Sequence, residues 1–143
     1  MLKLENQLCF ALVTAARNVV AIYRPILEPL GLTHPQYLVM LALWERAPRM
    51  LNDLAADLAL EPATASPLVK RLEADGLVTR LRSIEDERRL EITLTDAGRA
   101  LRARALDVPV QVMAAVGMDI ERIAALRDGL SDFAGRRPAE LAR

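Results

Sequence analysis

Apolar residues recur at near-helical spacing over residues 4–27, through Leu8, Leu12, Ala15, Val19, Ile22 and Ile26. This periodicity predicts one long N-terminal helix, with Pro25 as a kink or break near its end and Pro29 and Gly31 beyond it. Thr33-His34-Pro35-Gln36 reads as the next helix start, with Thr33 as N-cap and Pro35 in the first turn; the apolar residues from Tyr37 to Trp44 continue it and Pro48 ends it. Asn52 is expected to cap a short helix that turns Leu54 and Leu58 inward. Leu60-Glu61 then connects to a helix opened by Pro62. That helix directs Ala65, Leu68, Val69 and Leu72 to a core and Ala63, Thr64, Ser66, Pro67, Lys70 and Arg71 largely outward. A local irregularity is expected at Pro67, and Gly76 stops the helix in left-handed backbone.

After Gly76 the pattern changes. Residues 77–81 and 90–94 are short β-prone runs flanking the charged Glu85-Asp86-Glu87-Arg88-Arg89, which predicts a hairpin with an exposed tip. Thr95 caps a further helix with Asp96 near its positive end. Residues 99–116 read as a helix with an irregularity at Pro109, and 120–133 as another. Two short helices in tight succession followed by a hairpin is the order of a winged helix-turn-helix, in a mostly α chain with a small β-hairpin wing. No internal repeat or linker interrupts the chain, so residues 1–143 are expected to form a single domain.

Composition changes this picture little. The chain has 143 residues, about half apolar and a quarter charged, with 19 Lys plus Arg against 19 Asp plus Glu. Residues 61–91 hold six basic and seven acidic side chains, so affinity for nucleic acid must come from placed residues rather than bulk charge. No apolar run reaches the ~18 residues needed to span a bilayer, and no signal peptide pattern opens the chain; a cytoplasmic protein without membrane contact is expected. One cysteine and one histidine leave no intrachain disulfide and no cysteine-rich metal site, and neither metal nor cofactor is expected.

A helix fits the major groove of double-stranded DNA, where short polar side chains near its N-terminus approach base edges and longer basic ones reach phosphates. Thr64 and Ser66, beside Pro67, suit the first role, and Lys70 and Arg71 the second. In the wing, Asp86 is spaced to hold one guanidinium or the hairpin tip, while a second arginine enters the minor groove, whose narrow A·T tracts attract cations. Arg88 and Arg89 are the two candidates, and either order is open.

Leu54-Ala55 with Leu58, Leu68-Val69-Lys70-Arg71-Leu72-Glu73 with Gly76-Leu77-Val78, and Asp86-Glu87-Arg88-Arg89 followed by Leu94-Thr95-Asp96-Ala97-Gly98 together resemble the MarR family over nearly the whole chain. The resemblance implies a homodimer on a near-palindromic operator, usually repressing. Residues 34–98 would form the DNA-binding portion, and residues 1–30 and 99–143 the dimerisation helices. Leu8-Cys9-Phe10-Ala11-Leu12, Tyr23-Arg24-Pro25-Ile26-Leu27 and the segment 32–38 are similar to the subgroup that senses organic hydroperoxides, usually called OhrR. That likeness implies that Cys9 is oxidised to a sulfenic acid, with Tyr23 of the partner subunit steadying the thiolate.

Two positions depart from the subgroup. His34 stands where it typically has tyrosine, and Val13 replaces another frequent tyrosine. His34 is therefore either a second donor to Cys9 or a helix-start residue that never meets it. With one cysteine, oxidation would proceed to a mixed disulfide with a small thiol, a sulfenamide or over-oxidation. A free cysteine on an apolar stripe is commonly just a small packed residue. Two other functions compete: a MarR-type repressor released by a reversible phenolic or lipophilic ligand, with Trp44, Tyr37 and Phe10 as pocket candidates, and a thiol enzyme using Cys9 with His34. No oxyanion or cofactor motif supports the enzyme, and a non-enzymatic regulator is expected.

Overall fold

The computed structural model describes residues 2–82, 84–85, 89–131 and 133. Helix α1 (Leu8–Leu27) follows a short 3-10 turn at Leu4–Asn6 and runs through Pro25, which sits in its last turn. A second 3-10 turn (Glu28–Leu30) and left-handed Gly31 reverse the chain into α2 (His34–Glu45). Thr33 caps α2 in a reciprocal capping box: its hydroxyl accepts from the Gln36 amide while Gln36 Oε1 accepts from the Thr33 amide.

The helix-turn-helix follows as α3 (Leu51–Asp57) and α4 (Pro62–Ala74). The expected cap at Asn52 is corrected: Met50 is the N-cap and Asn52 lies in the first turn. The extended segment before α3 pairs with the wing, which moves the helix start two residues earlier. The helix ends in a Schellman turn, with the Leu60 amide on Ala55 O and the Ala59 amide on Ala56 O, and Ala59 takes the left-handed position at φ 55°. Helix α4 ends the same way, the Leu77 amide bonding Leu72 O and the Gly76 amide Glu73 O, with Gly76 at φ 77°. Despite Pro67, α4 is continuous, so the expected irregularity does not break it.

The wing is β2 (Val78–Arg82) and β3 (Leu90–Leu94), antiparallel, with Val78 opposite Leu94 and Arg80 opposite Ile92. A two-residue strand β1 (Arg49–Met50), which periodicity did not reveal, pairs with the other edge of β3, giving the order β1-β3-β2. Two residues carry no readable alternation, so only the pairing itself defines this strand.

The helix expected over 99–116 is two helices, α5 (Asp96–Ala105) and α6 (Val108–Val116). Pro109 has no N–H for the Ala105 carbonyl and its ring crowds that carbonyl, so the first helix ends there and Pro109 opens the second. Helix α7 (Ile120–Gly129) is capped by Asp119, whose carboxylate accepts from the Arg122 amide.

The core joins the end of α1, α2, the two reading helices, the wing base and α5–α6 through Leu27, Met40, Leu43, Leu54, Leu72 and Ile92, all essentially inaccessible to solvent. Most of α1 lies outside that core. By length and composition only, the segment Leu8–Leu30 is long and apolar enough to cross a membrane, and little of its most apolar stretch is buried. The run-length expectation stands beside this, since Arg17, Arg24 and Glu28 interrupt the apolar residues and no uninterrupted apolar run of spanning length occurs.

Candidate nucleic-acid interface and sensor region

A helix turns about 100° per residue. With Ala65, Val69 and Leu72 buried, the stripe of α4 opposite them holds Ala63, Pro67, Lys70 and Ala74, all exposed. Thr64, Arg71 and Asp75 lie on one flank, and Ser66 and Glu73 on the other. The two short hydroxyl residues thus bracket Pro67 from opposite sides. Arg71 is exposed with its Nε 3.6 Å from an Asp75 carboxylate oxygen, and both line a cleft of about 780 Å³ with Val20, Arg24, Glu28 and His34. The recognition helix and the region around His34 therefore share one cavity wall.

The other flank meets the wing. Glu73 Oε1 accepts from Arg80 Nε (3.0 Å) and Nη2 (2.8 Å), and Oε2 accepts from the Arg80 backbone amide (2.9 Å). These bonds, the side-chain ones first, hold the Glu73 carboxyl below the ordinary carboxylate range. Periodicity assigned Glu73 no role; the charge pair spaced seven residues apart across Gly76 was the one available signal. The wing base is also held by Thr95, whose hydroxyl donates to Gly76 O (2.6 Å) and accepts from the Gly98 amide (3.0 Å).

Of the wing residues, Asp86, expected to support the tip, and Arg88, expected to meet DNA, lie outside the described residues. Arg89 is exposed just before β3 and lines a small hollow with Asn52, Asp53 and Leu90, placing it beside the start of α3. Behind this edge Arg49, buried on β1, pairs with the Asp57 carboxylate, which is held below its usual range chiefly by that hydrogen bond and then by the guanidinium charge.

Cys9 is exposed in the first turn of α1. Tyr23 lies 14 residues further along the same helix, about 21 Å by the helical rise, so the two cannot meet within one chain. His34 is with Tyr23: their ring centroids are 4.7 Å apart, and Tyr37 is 5.9 Å from Tyr23. Burial raises both tyrosines above 10.0, Tyr37 also through Tyr23, and lowers His34 below 6.5. The three rings thus form one half-dry cluster remote from their own Cys9, which removes the intrachain Cys9–His34 pair a thiol enzyme would use. Tyr37 and Trp44 line a separate cavity of about 340 Å³ with Leu41, Arg102 and Leu106. Phe10 is exposed on α1 and is not part of it. Among the described residues no group of three or more His, Cys, Asp or Glu is placed to hold a metal ion.

A family profile described as transcriptional regulator SarA/Rot matches residues 21–104. The organic hydroperoxide resistance transcriptional regulator of Bacillus subtilis is 43% identical over 112 residues, 78% of this chain and 76% of the relative. Among solved structures, reduced AbfR of Staphylococcus epidermidis bound to DNA is 34% identical, with a TM-score of 0.77 over 91% of each chain. AbfR has also been solved overoxidised on DNA and with a disulfide formed. CouR of Rhodococcus jostii, bound to p-coumaroyl-CoA, is 28% identical with a TM-score of 0.76 over 94% of this chain and 96% of its own.

Proposed function

The chain belongs to the MarR/SarA winged-helix transcriptional regulators, and from that premise we propose that this DNA-binding regulator is a cytoplasmic, homodimeric repressor that leaves its operator when Cys9 is oxidised by an organic hydroperoxide. The observation that carries the redox half is the split of the sensor. Cys9 sits at one end of α1, and the Tyr23–His34–Tyr37 cluster at the other, too far apart in one chain and suited to meeting a partner's thiol. The exposed apolar side chains of α1 support its use as a dimer helix, with residues 1–30 and 99–143 as the dimerisation portion and 34–98 as the reading portion of a single 143-residue domain.

The chemistry is short. The Cys9 thiolate attacks the terminal peroxide oxygen; an S–O bond forms, the O–O bond breaks, and the alkoxide leaves as the alcohol after taking a proton. A small thiol then condenses with the sulfenic acid to a mixed disulfide and water. Tyr23 and His34 of the facing subunit are the donors assigned to the thiolate. On DNA, Thr64, Ser66 and Pro67 face the major groove, Lys70 and Arg71 its phosphates, and Arg88 or Arg89 the minor groove, with Asp86 supporting the wing tip.

A gel shift with a fragment from the chain's own promoter, with and without cumene hydroperoxide, tests this. Wild type is expected to release the fragment on oxidation and Cys9→Ser to stay bound; equal release by both sinks the redox half. A second reading, release by a reversible phenolic or lipophilic ligand, is favoured by the cleft of about 780 Å³ beside His34 and by the ligand held by CouR. It predicts release under fully reducing conditions.

A further inference from the structure

We infer that Glu73 and Arg80 are positioning residues for DNA binding: their three-bond clamp sets the angle between the recognition helix and the wing, and so the register between major-groove and minor-groove contacts. This rests on the reading that α4 and the wing both touch DNA and is independent of Cys9.

The clamp adds a side-chain tie beyond the Schellman turn and the Thr95 hydroxyl, which hold only the base of the connection between α4 and β2. Between Glu73, at the end of α4, and Arg80, in the middle of β2, lies the reversal at Gly76, a residue with wide backbone freedom. Strand β2 is the outer edge of the sheet, since β3 lies between it and β1. An edge strand presents N–H groups with no strand to bond. The Arg80 amide is bonded instead to Glu73 Oε2, while the guanidinium fork closes on Oε1. Backbone and side chain of one residue are thus held by a single carboxylate, which fixes the strand in both position and orientation relative to α4. Both partners are only partly exposed, at 35% for Glu73 and 26% for Arg80, so water competes less with the pair than with a fully open one. Neither side chain lies on the outward stripe of α4 that holds Lys70, so both act on DNA through the elements they hold. Two guanidinium N–H groups converging on one carboxylate oxygen, with the backbone amide on the other, transmit orientation where a point charge would not.

The test uses the full-length protein and a duplex selected from a random-sequence library by the wild-type chain, mapped by hydroxyl-radical footprinting of the minor groove and dimethyl sulfate protection of the major groove. Glu73→Gln and Arg80→Met are expected to keep major-groove protection at the half-site centres, to lose minor-groove protection on the flanks, and to bind about tenfold more weakly. Melting temperatures are measured alongside. Flank protection unchanged in both variants overturns the inference, as does uniform weakening of both tracts in step with a lowered melting temperature. Wild-type protein that protects no flanking minor groove at all overturns the underlying reading of the wing as well, and is distinguishable because it appears before any substitution is made.

Discussion

Gly98 and Ala59 face opposite steric problems. A Cβ at Gly98 would stand 2.0 Å from the Leu77 carbonyl oxygen, a backbone atom that also receives the Thr95 amide. Gly98→Ala is therefore expected to cost about 3 kcal/mol or more, read as a shift of the urea midpoint. Ala59 already carries a Cβ in left-handed backbone, so Ala59→Gly relieves strain and is expected to stabilise the fold by about 0.5–1 kcal/mol in the same assay. A loss of stability there would contradict the reading of the turn.

His34 is the chain's one histidine, so its imidazole resonance can be followed without overlap. Burial disfavours the imidazolium and places its pKa below 6.5. As the pH falls the unfolded chain takes up this proton first. The stability tied to neutral His34 is thus fully present above 6.5 and declines from there down to the lower folded value. A titration midpoint below 6.5 in Cys9→Ser protein is the expected result, and one above it contradicts the burial argument. A partner's Cys9 thiolate would favour the imidazolium. If His34 meets that thiolate, its midpoint in reduced wild type lies above that of Cys9→Ser; coincident midpoints mean that it does not.

At the scale of elements, local chemistry was readable and long-range pairing was not. Thr33, Pro62, Gly76 and Thr95 mark their helix boundaries because caps and reversals depend on a few neighbouring residues. Thr33→Ala, which removes half of a capping box, is accordingly expected to cost about 1 kcal/mol in urea unfolding. Strand β1 depends on β3, some forty residues away, and Met50 replaces Asn52 as a cap for the same reason. The site divides likewise. The outward stripe of α4 and its Arg71–Asp75 flank followed from helical period alone, whereas the Glu73–Arg80 clamp needed the packing of α4 against β2 and the shared cleft the packing of α4 near α1–α2. Separation of Cys9 from Tyr23 was implicit in helix length, because both lie on α1 before Pro25.

For the whole molecule, the unpartnered surface of α1 and α7 sets the remaining demand. Leu8, Val13 and Val20 on α1 and Ile120 and Leu126 on α7 are exposed although each would favour burial. A two-fold partner would cover them and set two α4 helices about one DNA turn apart. Linking two half-site readers raises effective concentration, and losing the link costs on the order of 10²–10⁴ in affinity without any DNA contact being altered. Val13→Glu with Leu126→Glu should halve the sedimenting mass and weaken operator binding by at least about a hundredfold. The helical circular dichroism should survive, because neither side chain belongs to the buried core. A wild-type chain that sediments as a monomer yet holds a two-half-site duplex as tightly would defeat this assignment, since one reading helix and one wing in a segment of near-neutral charge offer too few phosphate contacts for such affinity.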